Sequence, residues 1–283
     1  MATFTNRATL SYNGNVTNSN IVTGEITEVL TLSKASLNTC YNNECGIIYT
    51  ISLINSGVTP LNGLTITDDL GAYVYNENTL LPLSYSDNSA ALYINGVLQT
   101  APTVTAGETL VFSGINIPAL SNALLIYRAD TTEYAPLTTG SIIENTATVT
   151  GDGLINAIAD TLSLTVCNNP QLDITKSLSP TVVNDNGTIT YTITVLNYGN
   201  TPTIATDDTI ISDVFNPILN PITVTLNGVT LTAPTDYTYN TATGEFATLP
   251  GVVTVPAATF TQDVTGVWTT EPGSAVLTIT GTV

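Results

Sequence analysis

The chain has two lysines, and they occupy matched positions of a repeated sequence. Lys34 follows Leu32-Ser33, and Lys176 follows Ile174-Thr175, 142 residues later (176 − 34). Because the chain has so few cations against a formal net charge of −18, an ammonium at one repeated position indicates a specific role. A lysine that is buried between sheets tends toward its neutral amine, and a neutral amine is a nucleophile.

An aspartic acid and an asparagine beside such an amine would complete a self-contained cross-linking site. The protonated acid polarises the amide carbonyl, the amine attacks it and ammonia leaves, so that a Lys–Asn isopeptide bond remains in a dry core. The first copy of the repeat offers Lys34, Asp68 and Asn145 for this reaction. The alternative interpretation is a partly buried ion pair, Lys34 with Asp68 and Lys176 with Asp213.

The repeat that carries the lysines extends over most of the chain. The segment from Tyr49 to Gly57 matches the segment from Tyr191 to Gly199 at the same offset of 142 residues. Further matches follow in the same order. They are Ile66-Thr67-Asp68 with Ile211-Ser212-Asp213, Asn95-Gly96-Val97 with Asn227-Gly228-Val229, Gly107-Glu108 with Gly244-Glu245, and Gly140-Ser141 with Gly273-Ser274.

Each copy has the apolar/polar alternation of β-strands, rich in Thr, Val, Ile and Tyr and interrupted by turn residues. Asn95-Gly96 and Asn227-Gly228 predict type I′ hairpins, because both turn residues then need positive φ. The predicted fold class is all-β: two tandem immunoglobulin-like antiparallel β-sandwiches, preceded by an N-terminal donor-strand segment.

Four segments are predicted. Residues 1–31 form the N-terminal donor segment, 32–166 the first sandwich module, 167–170 a short linker that contains Pro170, and 171–283 the second module. Each module is long enough to bury a core.

The second module is expected to lack its final strand. The first module continues after Gly140 through Glu144 to Val149 and then through a last strand that ends at Val166. After the matching Gly273, ten residues remain (283 − 273). The missing pattern recurs at the other end of the chain, where the segment from Thr5 to Leu10 resembles Glu144 to Val149.

An unfinished sandwich has unpaired N–H and C=O groups along a strand edge, which favours pairing with another chain. We therefore expect the N-terminal segment of one copy to complete the second module of the next, in a head-to-tail homopolymer. The alternatives are that this segment folds back on its own chain or adds an edge strand to the first module. The predicted polymer contacts are Phe4, Asn6, Ala8, Leu10 and Tyr12.

A covalent joint between copies is also predicted. The alignment places Thr278 at the position of Asn145, and threonine cannot react with an amine in this way. Asn6 is the spare asparagine, so that Asn6 of one copy, with Lys176 and Asp213 of its neighbour, would form the intermolecular cross-link.

The motifs resemble a known family. Leu-x-Lys at each module start, Tyr-Thr-Ile-x-x-x-Asn-x-Gly, Ile-Thr-Asp and Asn-Thr-Ala-Thr-Val are similar to the bacterial conserved-repeat surface domain known as domain of unknown function eleven. The start Met1-Ala2-Thr3-Phe4-Thr5-Asn6, ahead of two such modules, resembles clostridial spore-appendage subunits. The resemblance implies a fibre-forming structural protein on the outside of a cell or spore.

Composition limits the partners and the location. Nucleic-acid binding is excluded because it needs clustered Lys and Arg, and charged residues are 9% of the chain. No apolar run is long enough for membrane insertion, and the first ten residues lack a signal-peptide pattern. An extracellular location is expected, after removal of a leader or by release when the mother cell lyses.

Three cysteines are the disulfide candidates. Cys40 and Cys45 share a loop and Cys167 lies in the linker, so an odd thiol remains. Two arrangements are open: a Cys40–Cys45 bridge with Cys167 free, or Cys167 bonded to one of the other two. A zinc site is not expected, because the chain has no histidine and no CxxC spacing.

No cofactor is expected. Calcium is a weak candidate at Asp68-Asp69, Asp207-Asp208 and Asn184-Asp185-Asn186-Gly187, since none of these has EF-hand spacing. Enzyme activity beyond autocatalytic cross-linking is not expected, because histidine, phosphate loops and nucleophile elbows are absent. The main alternative function is a monomeric adhesin or glycan-binding module with an aromatic platform drawn from Tyr73, Tyr75, Tyr237, Tyr239 and Trp268.

Overall fold

The computed structural model describes residues 2–43 and 46–283, and nearly all of its regular structure is β-strand. The helical content of these residues is a single 3-10 turn at Ala205–Asp207, and none of their helices is long and apolar enough to cross a bilayer. All strand pairs are antiparallel. The predicted all-β fold class is therefore confirmed.

The chain divides into two compact units. One comprises Met1–Pro136 and Ile142–Thr165, and the other comprises Leu137–Ser141 and Val166–Val283. The change of unit at Val166 lies next to the predicted linker.

The first strands form a long hairpin, which we call the N-terminal hairpin (residues 2–26). Its strands are β1 (Ala2–Asn6), β2 (Thr9–Tyr12), β3 (Asn15–Asn18) and β4 (Val22–Ile26). β1 pairs with β4 and β2 pairs with β3. Asn13 and Gly14 form the turn, both with positive φ, which these two residue types tolerate.

Module one follows the hairpin and has two facing sheets. Its strands are β5 (Leu30–Ser36), β6 (Ile47–Asn55), β7 (Leu61–Asp68), β8 (Tyr73–Tyr75), β9 (Asn78–Leu80), β10 (Leu83–Tyr85), β11 (Ala91–Ile94), β12 (Val97–Leu98), β13 (Thr103–Ala106), β14 (Leu110–Ile117), β15 (Ser121–Thr131), β16 (Ile142–Thr150) and β17 (Ile158–Thr165). One sheet has the order β12-β11-β15-β6-β5, with β10 also on β15, and the other has the order β13-β14-β7-β16-β17. β8 and β9 form a small hairpin.

Module two repeats part of this arrangement. Its strands are β18 (Leu172–Ser179), β19 (Thr188–Asn197), β20 (Ser212–Val214), β21 (Ile222–Leu226), β22 (Val229–Thr230), β23 (Tyr237–Tyr239), β24 (Glu245–Thr248), β25 (Thr259–Gln262), β26 (Trp268–Glu271) and β27 (Gly273–Thr282). The larger sheet has the order β18-β19-β27-β21-β22, and the smaller has the order β20-β24-β23. β25 and β26 form a separate hairpin.

Side chains that point alternately inward and outward along the strands form both cores. On β6 the inward side chains of Ile47, Tyr49, Ile51 and Leu53 are buried, and the intervening residues are more exposed. In module two, the corresponding face of β19 joins a cluster that includes Phe215, Phe246, Leu277 and Ile279. Each sandwich therefore has its own core, as period-2 patterning predicts.

Both predicted Asn-Gly hairpins are present. β11 and β12 flank Asn95-Gly96, β21 and β22 flank Asn227-Gly228, and all four turn residues have positive φ.

The repeated Asn-x-Gly motif has a structural role. In module one, buried Asn55 accepts the Gly57 N–H and donates to the carbonyls of Thr59 and Pro118. Asn197 makes the same contacts with Gly199, Thr201 and Pro256. The motif therefore fixes the turn after the central strand in both modules.

Strand pairing corrects one part of the sequence alignment. β27 pairs with β19 and β21, just as β15 pairs with β6 and β11. β27 is therefore the counterpart of β15 and not of β16, and placing Thr278 at the position of Asn145 was wrong. β20, the counterpart of β7, has a partner on one side alone. Within the described residues, module two thus has no counterpart of either β16 or β17, where the sequence predicted the loss of one strand.

Candidate functional site

The lysine of module one lies in a buried polar cluster. Lys34 is on β5, at the edge of its sheet, and its Nζ lies 2.5 Å from Oδ2 of Asp68 on β7. Neither side chain is exposed to solvent. Burial lowers the pKa of Lys34, and the charge of Asp68 opposes this shift. The predicted ion pair is therefore present, and it is wholly buried.

Asn145 lies in the same cluster. β16 pairs with β7 so that Ala147 is opposite Asp68, and Asn145, two residues along the strand, points to the same side. Asn145 is fully buried, yet neither of its side-chain polar atoms makes a hydrogen bond of normal geometry. A buried amide without partners costs about 1–3 kcal/mol and is uncommon in native proteins.

Two tyrosines complete the cluster, and neither was predicted there from the sequence. Tyr127 Oη donates to Asp68 Oδ2 in a short hydrogen bond. Tyr49 stacks on Tyr127 with ring centroids 5.4 Å apart, and Lys34 Nζ lies 5.1 Å from the Tyr49 ring. Burial raises the pKa of both tyrosines, and the nearby Asn145 amide lowers it by a smaller amount. Lys34 and Asp68 are thus in direct contact, and the two tyrosines lie between this pair and Asn145.

The last strand of module one closes the cluster from the side. β17 pairs with β16 and also packs against β5 of the facing sheet. Its Asp160 carboxylate accepts the Lys34 backbone N–H at 2.8 Å. Burial of Lys34 therefore depends on β17 as well as on β16.

The equivalent lysine of module two lies in an open site. Lys176 Nζ forms an ion pair with Asp213, and the two side chains are 40% and 17% exposed. The ammonium lies 4.4 Å from the Tyr191 ring and 5.5 Å from the Phe215 ring. The amine, the acid and the aromatic face of module one thus recur in module two. Among the described residues, module two has no asparagine at this site and no strand that covers it.

The strand that carries Lys176 is also uncovered. Every residue of β18 is exposed. Leu172 is 45% exposed, whereas the matching Leu30 of β5 is 2% exposed. The difference follows from the absence, in module two, of strands equivalent to β16 and β17.

The N-terminal hairpin exposes its apolar side chains to solvent. Phe4, Leu10, Tyr12, Val16 and Val22 are all more than half exposed. The hydrogen bonds that residues 2–26 make within the described chain remain inside the hairpin. Asn6, Ala8 and the other predicted polymer contacts therefore lie on a surface that this chain leaves uncovered. Within the described residues no hairpin strand pairs with a strand of either module, as folding back on the chain or adding a strand to module one would require.

The structure distinguishes between the two cysteine arrangements. Cys40 and Cys167 are both disulfide-bonded, so the arrangement with Cys167 free is not the one present. The Tyr41 N–H donates to the Thr165 carbonyl at 2.9 Å, which joins the loop after β5 to the end of β17. Cys45 lies outside the described residues.

Three of the five aromatic candidates make structural contacts. Tyr237 packs against Phe246 and Tyr239 packs edge-to-face on Phe215 in the core of module two, and the Tyr73 hydroxyl donates to the Tyr134 carbonyl. In the part of the chain that is described, no three His, Cys, Asp or Glu residues form a cluster that could hold a metal ion. Of the calcium candidates, Asn184 to Gly187 is a hydrogen-bonded turn.

Comparisons with known proteins give fold neighbours at low similarity. No family model matches the chain, and no curated protein matches it. BcpA, the major pilin subunit of Bacillus cereus, is similar over 96% of this chain and 73% of its own, at 12% identity and a TM-score of 0.38.

Two further solved structures match about half of this chain. A 35 kDa C-terminal fragment of the major pilin GBS80 of Streptococcus agalactiae covers 52% of this chain, which spans 58% of that fragment, at 14% identity and a TM-score of 0.36. ACE19, the collagen binding subdomain of Enterococcus faecalis surface protein ACE, covers 51% of this chain and 100% of its own, at 10% identity and a TM-score of 0.32.

Proposed function

We propose that this protein is a structural subunit that polymerises head-to-tail into an extracellular filament. The N-terminal hairpin of one copy completes module two of the next. A single observation carries the proposal: the same chain has an uncovered donor segment and an uncovered acceptor face, and a completed example of their combination is present in module one.

The donor pattern is that of β16. The inward side chains of β16 are Ile143, Asn145, Ala147 and Val149, and all four are buried. The hairpin repeats this series at the same spacing, as Phe4, Asn6, Ala8 and Leu10. An apolar residue, an asparagine, an alanine and a second apolar residue thus recur at alternate positions, as strand addition requires.

The acceptor is the uncovered side of module two. β20 has a free edge where β7 pairs with β16, and β18 is exposed where β5 is covered. Free strand edges bind added strands through their backbone groups, and each apolar side chain that is buried contributes about 1.5–3 kcal/mol. A contact between different surfaces of identical subunits produces an open filament when it does not close.

Module one is proposed to be locked by a bond between Lys34 and Asn145. One proton moves from the Lys34 ammonium to Asp68, and the neutral amine attacks Cγ of Asn145, whose carbonyl accepts a hydrogen bond from the protonated acid. The new C–N bond replaces the C–NH₂ bond, and the amide nitrogen leaves as ammonia with the one proton that the attacking amine loses, which Asp68 transfers. The buried, unpartnered Asn145 amide and the Lys34–Asp68 contact support this reaction.

The same chemistry would seal the joint between copies. In the docked state Asn6 takes the position of Asn145, beside the Lys176–Asp213 pair of the neighbouring copy. Docking would remove Lys176 from solvent, and burial favours the neutral amine. Cross-linking at this site thus follows assembly.

Location outside the cell is part of the proposal. The disulfide of Cys40 and Cys167 supports an oxidising compartment, and the motif resemblance supports a cell or spore surface.

Recombinant protein examined by negative-stain microscopy should form fibres, and removal of residues 1–26 should leave separate particles with module one folded. Separate particles from the intact chain would favour the adhesin alternative.

The cross-links have their own test. Each bond formed from asparagine removes one ammonia, so the intact mass should fall by about 17 Da per bond. An unshifted mass, together with fibres that dissociate on boiling in detergent, would show that the lysines form ion pairs alone.

A further inference from the structure

We infer that the N-terminal hairpin docks as two strands: β1 and β2 take the place of β16, and β3 and β4 take the place of β17. This inference rests on the proposed function and specifies its contact. It assigns to the second half of the hairpin a binding face that the sequence patterns did not indicate.

The shape of the acceptor requires a second strand. A single added strand would pair with β20 and replace β16, but β18 would stay exposed, because in module one it is β17 that packs against the equivalent strand β5. The exposed fraction is 2% for Leu30 on β5 and 45% for the equivalent Leu172 on β18, and this difference shows how much surface the missing strand would cover. Two strands are needed to cover it.

Along β1 and β4 the hairpin has the register of the β16–β17 pair, whereas the β2–β3 pairing is shifted by one residue. In module one, Asn145 is opposite Leu162 and Ile143 is opposite Leu164. In the hairpin, Asn6 is opposite Val22 and Phe4 is opposite Gly24. When Asn6 is placed on Asn145, Val22 therefore occupies the position of Leu162 and Gly24 that of Leu164.

The largest difference in size along this register is compensated. Ile143 and Leu164 are both buried side by side in module one. In the hairpin the Phe4 ring lies across Gly24, where an added Cβ would be 2.4 Å from the ring carbon Cζ. One phenyl group thus fills the space of two aliphatic side chains, and the glycine leaves room for it.

The second strand would also complete the lysine site. Asp160, two residues before Leu162, accepts the Lys34 N–H. Asn20 stands two residues before Val22 and offers an amide oxygen for the equivalent Lys176 N–H. Because β17 encloses Lys34, its counterpart on the hairpin is what would enclose Lys176, so cross-linking to Asn6 depends on both strands.

Two substitutions on β4 test the inference. Val22→Arg places a charge on the proposed inward face, and Thr23→Arg places the same charge on the outward face. Both residues are exposed in the free hairpin, so neither change disturbs a packed core. We expect Val22→Arg to raise the lowest protein concentration that gives fibres by about tenfold or more, since burying an unpaired charge is unfavourable. Thr23→Arg should leave that concentration unchanged.

Phe4→Arg, on the first strand, separates this inference from the proposed function. If Phe4→Arg abolishes fibres while Val22→Arg and Thr23→Arg both resemble the wild type, a single strand docks and the inference is overturned. If Val22→Arg and Thr23→Arg are equally damaging, β4 has no inward face and the register is overturned. If Phe4→Arg forms fibres as the wild type does, the proposed function itself is overturned.

Discussion

The Asn145 side chain is buried in the module-one cluster and has no hydrogen-bond partner. Lys34, Asp68 and Tyr127 each make contacts that account for their burial, whereas the Asn145 amide makes none. A covalent bond to Lys34 would explain why the Asn145 side chain is buried without a hydrogen bond.

Replacing Asn145 by alanine should remove the cross-link and lower stability. Because the disulfide of Cys40 and Cys167 already joins the two ends, the bond closes a loop of roughly 30 residues in the unfolded chain, and its loss should cost module one about 4 kcal/mol of unfolding free energy. Guanidinium denaturation and intact mass measure the two effects. Asn122→Ala, at an exposed side chain of β15, is the control and should keep both the mass shift and the stability. An unchanged unfolding free energy for Asn145→Ala would contradict the cross-link.

The buried tyrosines predict a loss of stability at alkaline pH. Burial raises the pKa of Tyr41, Tyr49 and Tyr127 above the ordinary value. Tyrosines of the unfolded chain ionise near pH 10, so above about pH 10 the folded state binds more protons and its stability falls as pH rises. Denaturation of the Asn145→Ala protein between about pH 10 and about pH 12, where the lowered pKa of Lys34 no longer makes stability rise with pH, should therefore show module one weakening more than module two. A free energy that is constant or rising over this range would show the assignment to be wrong.

Part of this cluster could be predicted from the sequence. Lys34 and Asp68 recur in module two as Lys176 and Asp213, so their pairing was visible as a repeat. Tyr127 was not, because its strand neighbour Tyr49 recurs as Tyr191, whereas the residue opposite Tyr191 is Ile279. A contact that one copy has and the other lacks leaves no signal in the comparison of the two.

Among the elements, the short hairpins followed directly from the sequence and the identity of the last strand did not. Asn-Gly turns are local, and positive φ at two adjacent positions restricts the choice of residues. β27 was matched to β16 through a shared Gly-Ser pair, although its neighbours in the sheet are those of β15. Strand neighbours are set by long-range packing, which a local match does not report. The correction enlarges the acceptor from one missing strand to two.

The buried asparagine at the end of β19 should be essential for module two. Asn197 accepts the N–H groups of Gln171 and Gly199 and donates to the carbonyls of Thr201 and Pro256. Asn197→Ala would leave these groups without partners and should cost about 3 kcal/mol of unfolding free energy.

Trp268, the single tryptophan, lies in module two and reports its unfolding by fluorescence. Thr223→Ala on the exposed face of β21 is the control and should change stability by less than about 0.5 kcal/mol. An equal effect of the two substitutions would show that the Asn-x-Gly turn is not a structural anchor.

For the molecule as a whole, the donor and the acceptor lie in different parts of one chain. Each can therefore be disabled without the other, which makes the subunit contact separable from folding. Phe4 on the hairpin and Leu172 on β18 are both exposed in the free subunit, so a charge at either position should block docking and leave the fold intact.

Mixing two such variants tests the central claim most directly. Phe4→Arg keeps an intact acceptor, and Leu172→Arg keeps an intact donor, so each variant alone should remain a monomer by light scattering on a sizing column. Equal amounts of the two should give a dimer that grows no further, because one competent junction is available per pair. Monomers in the mixture, or polymers from either variant alone, would contradict donation of the hairpin to module two.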